Sequence, residues 1–220
     1  MKNILRRLAG AQQLGIIVII VALILIAQAA NPQALAPANI VEILRSSALY
    51  FIGASAATLV LVGGGLDLSI GSLFAVGGVS AGIAMNVGVP WPLAILLALL
   101  ICAVLGFVNA ALITWIGVPP FIATLGMLFA ASGIVIVVTG GVPRFGFPTG
   151  FTDLAQLNLF GIPLLVFYAL GIGVAAHVVL QHTVFGYNIR AFGGSAAAAR
   201  ANGIRASRMN ISLYVISAVV

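Results

Sequence analysis

Asp67 and Ser69 are the residues of this 220-residue chain whose types and spacing most directly suggest chemistry. They lie in Gly63-Gly64-Gly65-Leu66-Asp67-Leu68-Ser69-Ile70-Gly71-Ser72, between the apolar runs Ala48 to Val62 and Leu73 to Val87. A carboxylate and a hydroxyl two residues apart can cap a helix, or stand beside a path where they hydrogen-bond the hydroxyls of a polar solute or hold a gate. At the centre of a bilayer a carboxylate costs roughly 2.5 to 3.5 kcal/mol, so the surrounding chain must offset it.

Other constellations lack the context their chemistry needs. Gly78-Val79-Ser80-Ala81-Gly82 fits Gly-x-Ser-x-Gly, and Asp153 and His177 follow in hydrolase order. A nucleophile elbow needs a strand, a turn and a helix, whereas Ser80 falls in an apolar run where Gly78 and Gly82 form a small-residue helix contact face. His177 and His182, five apart, do not share a helix face, and no acid is near them in sequence. Cys102 is the single cysteine, which leaves no disulfide framework and no cysteine-based metal cluster. No Gly-x-x-x-x-Gly-Lys-Ser/Thr loop is present, so ATP is not bound and hydrolysed here in the P-loop manner. No metal and no cofactor are expected.

These residues must be positioned by membrane helices. The chain is 63% hydrophobic and 5% charged, too little polar sequence to cover a soluble globule. Its formal charge of +6 is not a nucleic-acid signature, because Lys2, Arg6 and Arg7 precede the first apolar run and Arg190, Arg200, Arg205 and Arg208 share one late segment. Seven of the nine basic residues thus fall in two places, as expected of cytoplasmic segments under the positive-inside rule. An even number of spans must then separate them.

Length arithmetic places the reversals. Leu14 to Ala30 is a short first span, favoured over a cleaved signal peptide ending at Ala27-Gln28-Ala29. Asn39 is a plausible N-cap for an interfacial turn carrying Glu42 and Arg45, ahead of span two. Ala48 to Val87 would make a helix of about 60 Å, twice the thickness of a bilayer core, so it must fold back around Gly63 to Gly71. Leu93 to Thr139 breaks at Gly117-Val118-Pro119-Pro120, where glycine suits a left-handed helix end and proline the first turn of the next. Residues 140–161 read as an exported loop, Ile162 to Leu180 as span six, and residues 181–210 as a cytoplasmic loop. Ile211 to Val220 begins a further apolar run, too short to cross, so the 220 residues are expected to be a fragment whose later spans are missing. The fold class is an all-α polytopic integral membrane protein with about six complete transmembrane helices plus the start of a seventh, residues 1–13 being cytoplasmic.

Three stretches together carry a resemblance. Gly64-Gly65-Leu66-Asp67-Leu68-Ser69-Ile70-Gly71-Ser72 resembles the Gly-Gly-Ile-Asp-Leu-Ser-Val-Gly motif of permease subunits of bacterial ABC-type sugar importers, of which the ribose and xylose importers are the best-known members. Pro120-Phe121-Ile122-Ala123-Thr124-Leu125-Gly126-Met127 and the segment Gly193 to Ile204 are similar to the same family, in the same order. The resemblance covers nearly the whole chain from Asn39 on. It implies a transport subunit of the bacterial inner membrane with a cytoplasmic N-terminus, catalysing no covalent reaction. Implied partners are an ABC ATPase subunit, a second permease subunit as homo- or heterodimer, a periplasmic or lipid-anchored sugar-binding protein, and membrane lipid.

Candidate path or gate residues are Asp67, Ser69, Asn109, Phe121 and Thr124. For the late segment the resemblance implies docking in a groove of the ATPase, through Gly193, Gly194, Ser195, Ala198, Ala199, Arg200 and Gly203. From propensity alone, Gly193-Gly194 breaks the chain, Ser195 caps one or two helical turns and Gly203 ends them. Ser195-Ala196 stands where acidic residues often occur in the family, which bears on partner choice. The alternative solutes are branched-chain amino acids or nucleosides. The alternative class is an ion-coupled secondary transporter, for which Asp67 is the only strong coupling candidate.

Overall fold

Glycine ends the helices where the length arithmetic requires reversals. The computed structural model describes the backbone of residues 2–220 and the side chains of residues 14–220. The side chains of Lys2, Arg6 and Arg7, on which the expected orientation of the N-terminus rests, lie outside the described residues. The chain forms two units, Met1–Ser46 and Ser47–Val220.

In the first unit, helix α1 (Lys2–Ala30) is followed by the turn that leads into helix α2 (Pro37–Val62). Gln28 braces this turn, its amide donating to the Pro32 carbonyl at 3.1 Å and accepting from the Leu35 amide at 3.0 Å. The expected interfacial turn at Glu42 and Arg45 is instead continuous helix starting at Pro37, because proline suits a first helical turn. Asn39 is therefore inside the helix rather than its cap, and its side chain donates back to the Ala34 carbonyl. Glu42 and Arg45 pair at 3.6 Å along one face.

In the second unit, α2 ends at Val62 and helix α3 (Ile70–Asn86) begins after the glycine-rich link. Gly64 has φ +78°, and the amides of Gly64 and Gly65 reach back to the carbonyls of Leu61 and Val60. This paired closure satisfies two helix-end carbonyls and needs a residue free of left-handed strain. Gly88 ends α3 the same way. Helix α4 (Trp91–Ala111) continues into a π-helical turn, Leu112–Ile116, which ends at Gly117 with φ +79°. Helix α5 (Pro120–Thr139) starts on the proline, as the sequence predicts.

Residues 140–161 hold the short helix α6 (Thr149–Gln156), and a two-residue hairpin pairs strands β1 (Asn158–Leu159) and β2 (Ile162–Pro163). Helix α7 (Leu164–His182) follows, then helix α8 (Val184–Gly194), helix α9 (Ala196–Ala201) and helix α10 (Ala206–Val219). The segment 181–210, expected as a loop with one or two helical turns, is largely helical. Thr183 caps α8 by accepting from the Gly186 amide at 3.0 Å, and Ile189 and Phe192 bury its inner face.

By length and composition, α2, α4 with its π turn, α5 and α7 are apolar and long enough to cross a membrane. Leu14–Ala30 and α3 are shorter apolar helices. In lipid, helices associate through close packing and hydrogen bonds rather than hydrophobic burial, so small residues mark the contacts. One such close approach is between α4 and α10, where a Cβ on Gly106 would lie 2.6 Å from the Ala218 Cβ and 3.1 Å from the Val215 Cα. Gly77 meets the Cys102 sulfur, a Cβ there falling at 3.1 Å. The expected contact face at Gly78 and Gly82 is not helix on helix: Gly78 has open space, and Gly82 faces the Phe147 ring from the loop.

Candidate functional site

Each glycine of the reversal is met by a different neighbour. Leu213 crowds Gly63, the Gly193 backbone lies against Gly64, and the Tyr214 hydroxyl would stand 2.8 Å from a Cβ on Gly65. The link from Gly63 to Ser69 thus runs against α8 and α10 with Gly63 and Ser69 buried, and its buried polar atoms must find partners inside the protein.

They do so through a strap of side chains from three helices. The Asp67 Oδ1 accepts the Ser69 amide at 2.9 Å and the Ser69 hydroxyl at 2.6 Å. Its Oδ2 accepts the Ser217 hydroxyl of α10 at 2.9 Å. Asn109 of α4 donates to the Ser69 Oγ at 2.9 Å. The Leu66 carbonyl, unpaired in the broken helix, accepts the Tyr214 hydroxyl at 3.3 Å and shares the Thr124 hydroxyl of α5 at the same distance. Thr124 also donates to the Pro120 carbonyl at 2.8 Å, back within its own helix. Asp67 therefore shapes the start of α3 and ties it to α10.

Among the residues predicted from sequence, the structure brings Asp67, Ser69, Asn109 and Thr124 together. Ser69, Asn109 and Thr124 are fully buried, Asp67 only partly. The Asn109 Oδ1 has no hydrogen-bond partner. Phe121 is outside the strap, with 51% of its surface exposed. Sequence reasoning missed Tyr214 and Ser217. The signal was present: Asn210, Tyr214 and Ser217 repeat at four and three residues, one helical face within an apolar run. Asn210 opens this seam by donating to the Thr114 hydroxyl in the π turn at 3.3 Å.

The second candidate region is α8 and α9. The break falls at Ser195, which is extended (φ −161°, ψ 104°), and not at Gly193-Gly194, which are the last residues of α8. Burial of Phe192 and the contact at Gly193 hold the glycines helical despite their low propensity. Ser195 caps α9 by accepting from the Ala198 amide at 3.2 Å. Gly203, at φ +85°, closes it: its amide and that of Ile204 reach the carbonyls of Arg200 and Ala199. Ala198 and Arg200 are exposed, whereas Ala199 is buried with Leu59, Ile189, Phe192 and Leu213. Ser195→Ala removes the cap and is expected to destabilise α9 by about 1 kcal/mol, read as faster amide exchange at Ala198 with no change in α7.

Outside these two regions, the histidines bear on the metal question. His177 and His182, expected on different faces, nevertheless bring their rings to 6.1 Å edge to face at the end of α7. Among the described residues no group of three or more histidine, cysteine or acidic side chains gathers to hold a metal.

Residues 39–220 match the family described as branched-chain amino acid transport system / permease component. Relatives named autoinducer 2 import system permease protein LsrD are similar to this chain in several bacteria. The protein from Salmonella typhimurium is 33% identical over 166 residues, covering 73% of this chain and 50% of the relative. The one from Photorhabdus luminescens is 34% identical over 168 residues, 74% of this chain and 50% of the relative. The one from Escherichia coli O9:H4 is 35% identical over 166 residues, with 73% and 50% covered. The chain spans about half the length of the curated relatives it matches. No solved structure matches it. The family match spans residues 39–220, from the first turn of α2 through the Asp67 strap to α10, and on that extent the chain is a polytopic membrane protein that belongs to the branched-chain amino acid transport system / permease component family.

Proposed function

We propose that this chain forms part of the translocation subunit of an ATP-driven importer for a small sugar-like solute in a bacterial inner membrane. The observation that carries this reading is the extended similarity to permeases named for autoinducer 2 import, combined with a polar strap across a broken membrane helix. The chain performs no covalent chemistry in this reading. ATP is hydrolysed by a separate subunit that docks on α9, a second permease subunit completes the path, and a periplasmic or lipid-anchored binding protein delivers the solute. The N-terminus and the α8–α9 segment face the cytoplasm, residues 140–161 the outside.

Within this subunit, Asp67, Ser69, Asn109 and Thr124 hold the gate by fixing where α3 starts, and Phe121 offers an exposed ring face to the solute. The family description favours a second reading, a branched-chain amino acid as solute. Uptake by proteoliposomes holding the complete transporter separates them. Labelled autoinducer 2 or ribose is expected to enter with ATP, while uptake of leucine alone would overturn the sugar reading. Ala198→Cys, on the exposed side of α9, is expected to crosslink to a cysteine in the ATPase groove. No crosslink in an intact complex would remove α9 from the docking surface.

A further inference from the structure

Two glycine motifs far apart in the sequence touch. Gly193, in the last turn of α8, lies directly across the carbonyl end of α2. A Cβ added to it would overlap the Val62 carbonyl oxygen and stand 2.9 Å and 3.0 Å from the Val62 and Gly63 carbonyl carbons. From the other side, a Cβ on Gly64 would be 3.2 Å from the Gly193 Cα and 3.5 Å from its carbonyl oxygen. Backbone therefore meets backbone, with no side chain between to absorb movement. The adjacent Gly194 has open space, so the approach belongs to Gly193 and not to glycine content in general.

Both partners of this contact lead to candidate functional regions. One residue past Gly194, Ser195 caps α9. Three residues past Gly64, Asp67 anchors the strap to Ser69 and Ser217. The geometry points to Gly193 and Gly64 as the joint through which displacement of α8 and α9 reaches the broken helix and its polar strap. Close-packed groups transmit displacement because they have little room to yield, and a contact between two backbones is stiffer than one through rotatable side chains. Gly193 is a positioning residue in this account. It touches no solute, and it sets where the α2 end and the Gly63–Gly65 turn stand for each position of α8. The inference rests on the reading of α9 as the docking segment.

Gly193→Ala tests it, since Gly193 has ordinary helical backbone geometry and the substitution adds only a methyl group where the Val62 carbonyl stands. In the complete transporter, solute moved per ATP hydrolysed is expected to fall about tenfold, within the usual range of coupling between sites. Gly171→Ala, at a position with open space in α7, serves as the control and is expected to leave that ratio unchanged. An unchanged ratio in Gly193→Ala, or an equal fall in Gly171→Ala, overturns the joint. Because Gly193→Ala can fail to assemble, amide exchange in the unsubstituted transporter supplies a second reading. On ATP binding, protection of peptides covering 60–66 and 190–196 is expected to change together. A change at 190–196 without one at 60–66 overturns the joint, whereas no change at either with the ATPase bound overturns the docking reading instead.

Discussion

Asp67→Ala is expected to destabilise the assembled permease by about 2 to 4 kcal/mol, because three donors lose their acceptor at once: the Ser69 amide, the Ser69 hydroxyl and the Ser217 hydroxyl. Ser69 is fully buried and Ser217 nearly so, so bulk water cannot take the place of the lost acceptor. The hydroxyls can turn toward helix carbonyls, which limits the loss. The Ser69 amide has no such freedom. Thermal unfolding in detergent should show a fall on the order of 10 °C. Asp67→Asn should behave differently. Its Oδ1 still accepts from Ser69, and its amide can donate to the Ser217 oxygen, so the strap survives at a cost of about 1 kcal/mol. Transport by Asp67→Asn should then stay within about threefold of the unsubstituted protein. A folded Asp67→Asn protein with no transport would show that the negative charge itself serves the solute, and the gate-holding role would fail.

Gly106→Leu carries the second large expected effect. The added side chain points at the Tyr214 carbonyl oxygen, the Val215 Cα and the Ala218 Cβ, none of which can swing aside. Overpacking typically costs 1 to 3 kcal/mol, and about the upper end is expected where backbone is the obstacle. The consequence goes beyond one contact, because α10 also delivers Tyr214 to the Leu66 carbonyl and Ser217 to Asp67. Displacing α10 should therefore loosen the strap. In a double-mutant cycle, Gly106→Leu and Ser217→Ala should be less than additive in thermal stability, since the first already breaks what the second removes. Additive losses would show that α10 keeps hold of Asp67 without seating on α4.

The helix order, the reversals and the family were legible because each is written locally or by length. An apolar run too long for a bilayer has to turn, and Gly64 and Gly117 supply the left-handed residues that let it turn. The cap at Ser195 and the stop at Gly203 follow from short-range hydrogen bonds within a few residues. Helix α8 was not legible, since its glycines argue against helix until the burial of Ile189 and Phe192 is known. The interfacial turn at Glu42 and Arg45 failed for the opposite reason, as two charges three residues apart are as well placed along a continuous helix.

What the sequence by itself determined was a membrane protein with a costly acid at an obligatory reversal. Composition and span length leave no other place for Asp67. What only the tertiary structure decided was the acid's company: Ser217, which comes 150 residues later, Asn109 from α4, and the contact of Gly193 with Gly64. The reason is physical. Backbone geometry and helix length are set by neighbours in the chain, whereas an uncompensated carboxylate requires donors without specifying which helix supplies them, and that choice belongs to packing.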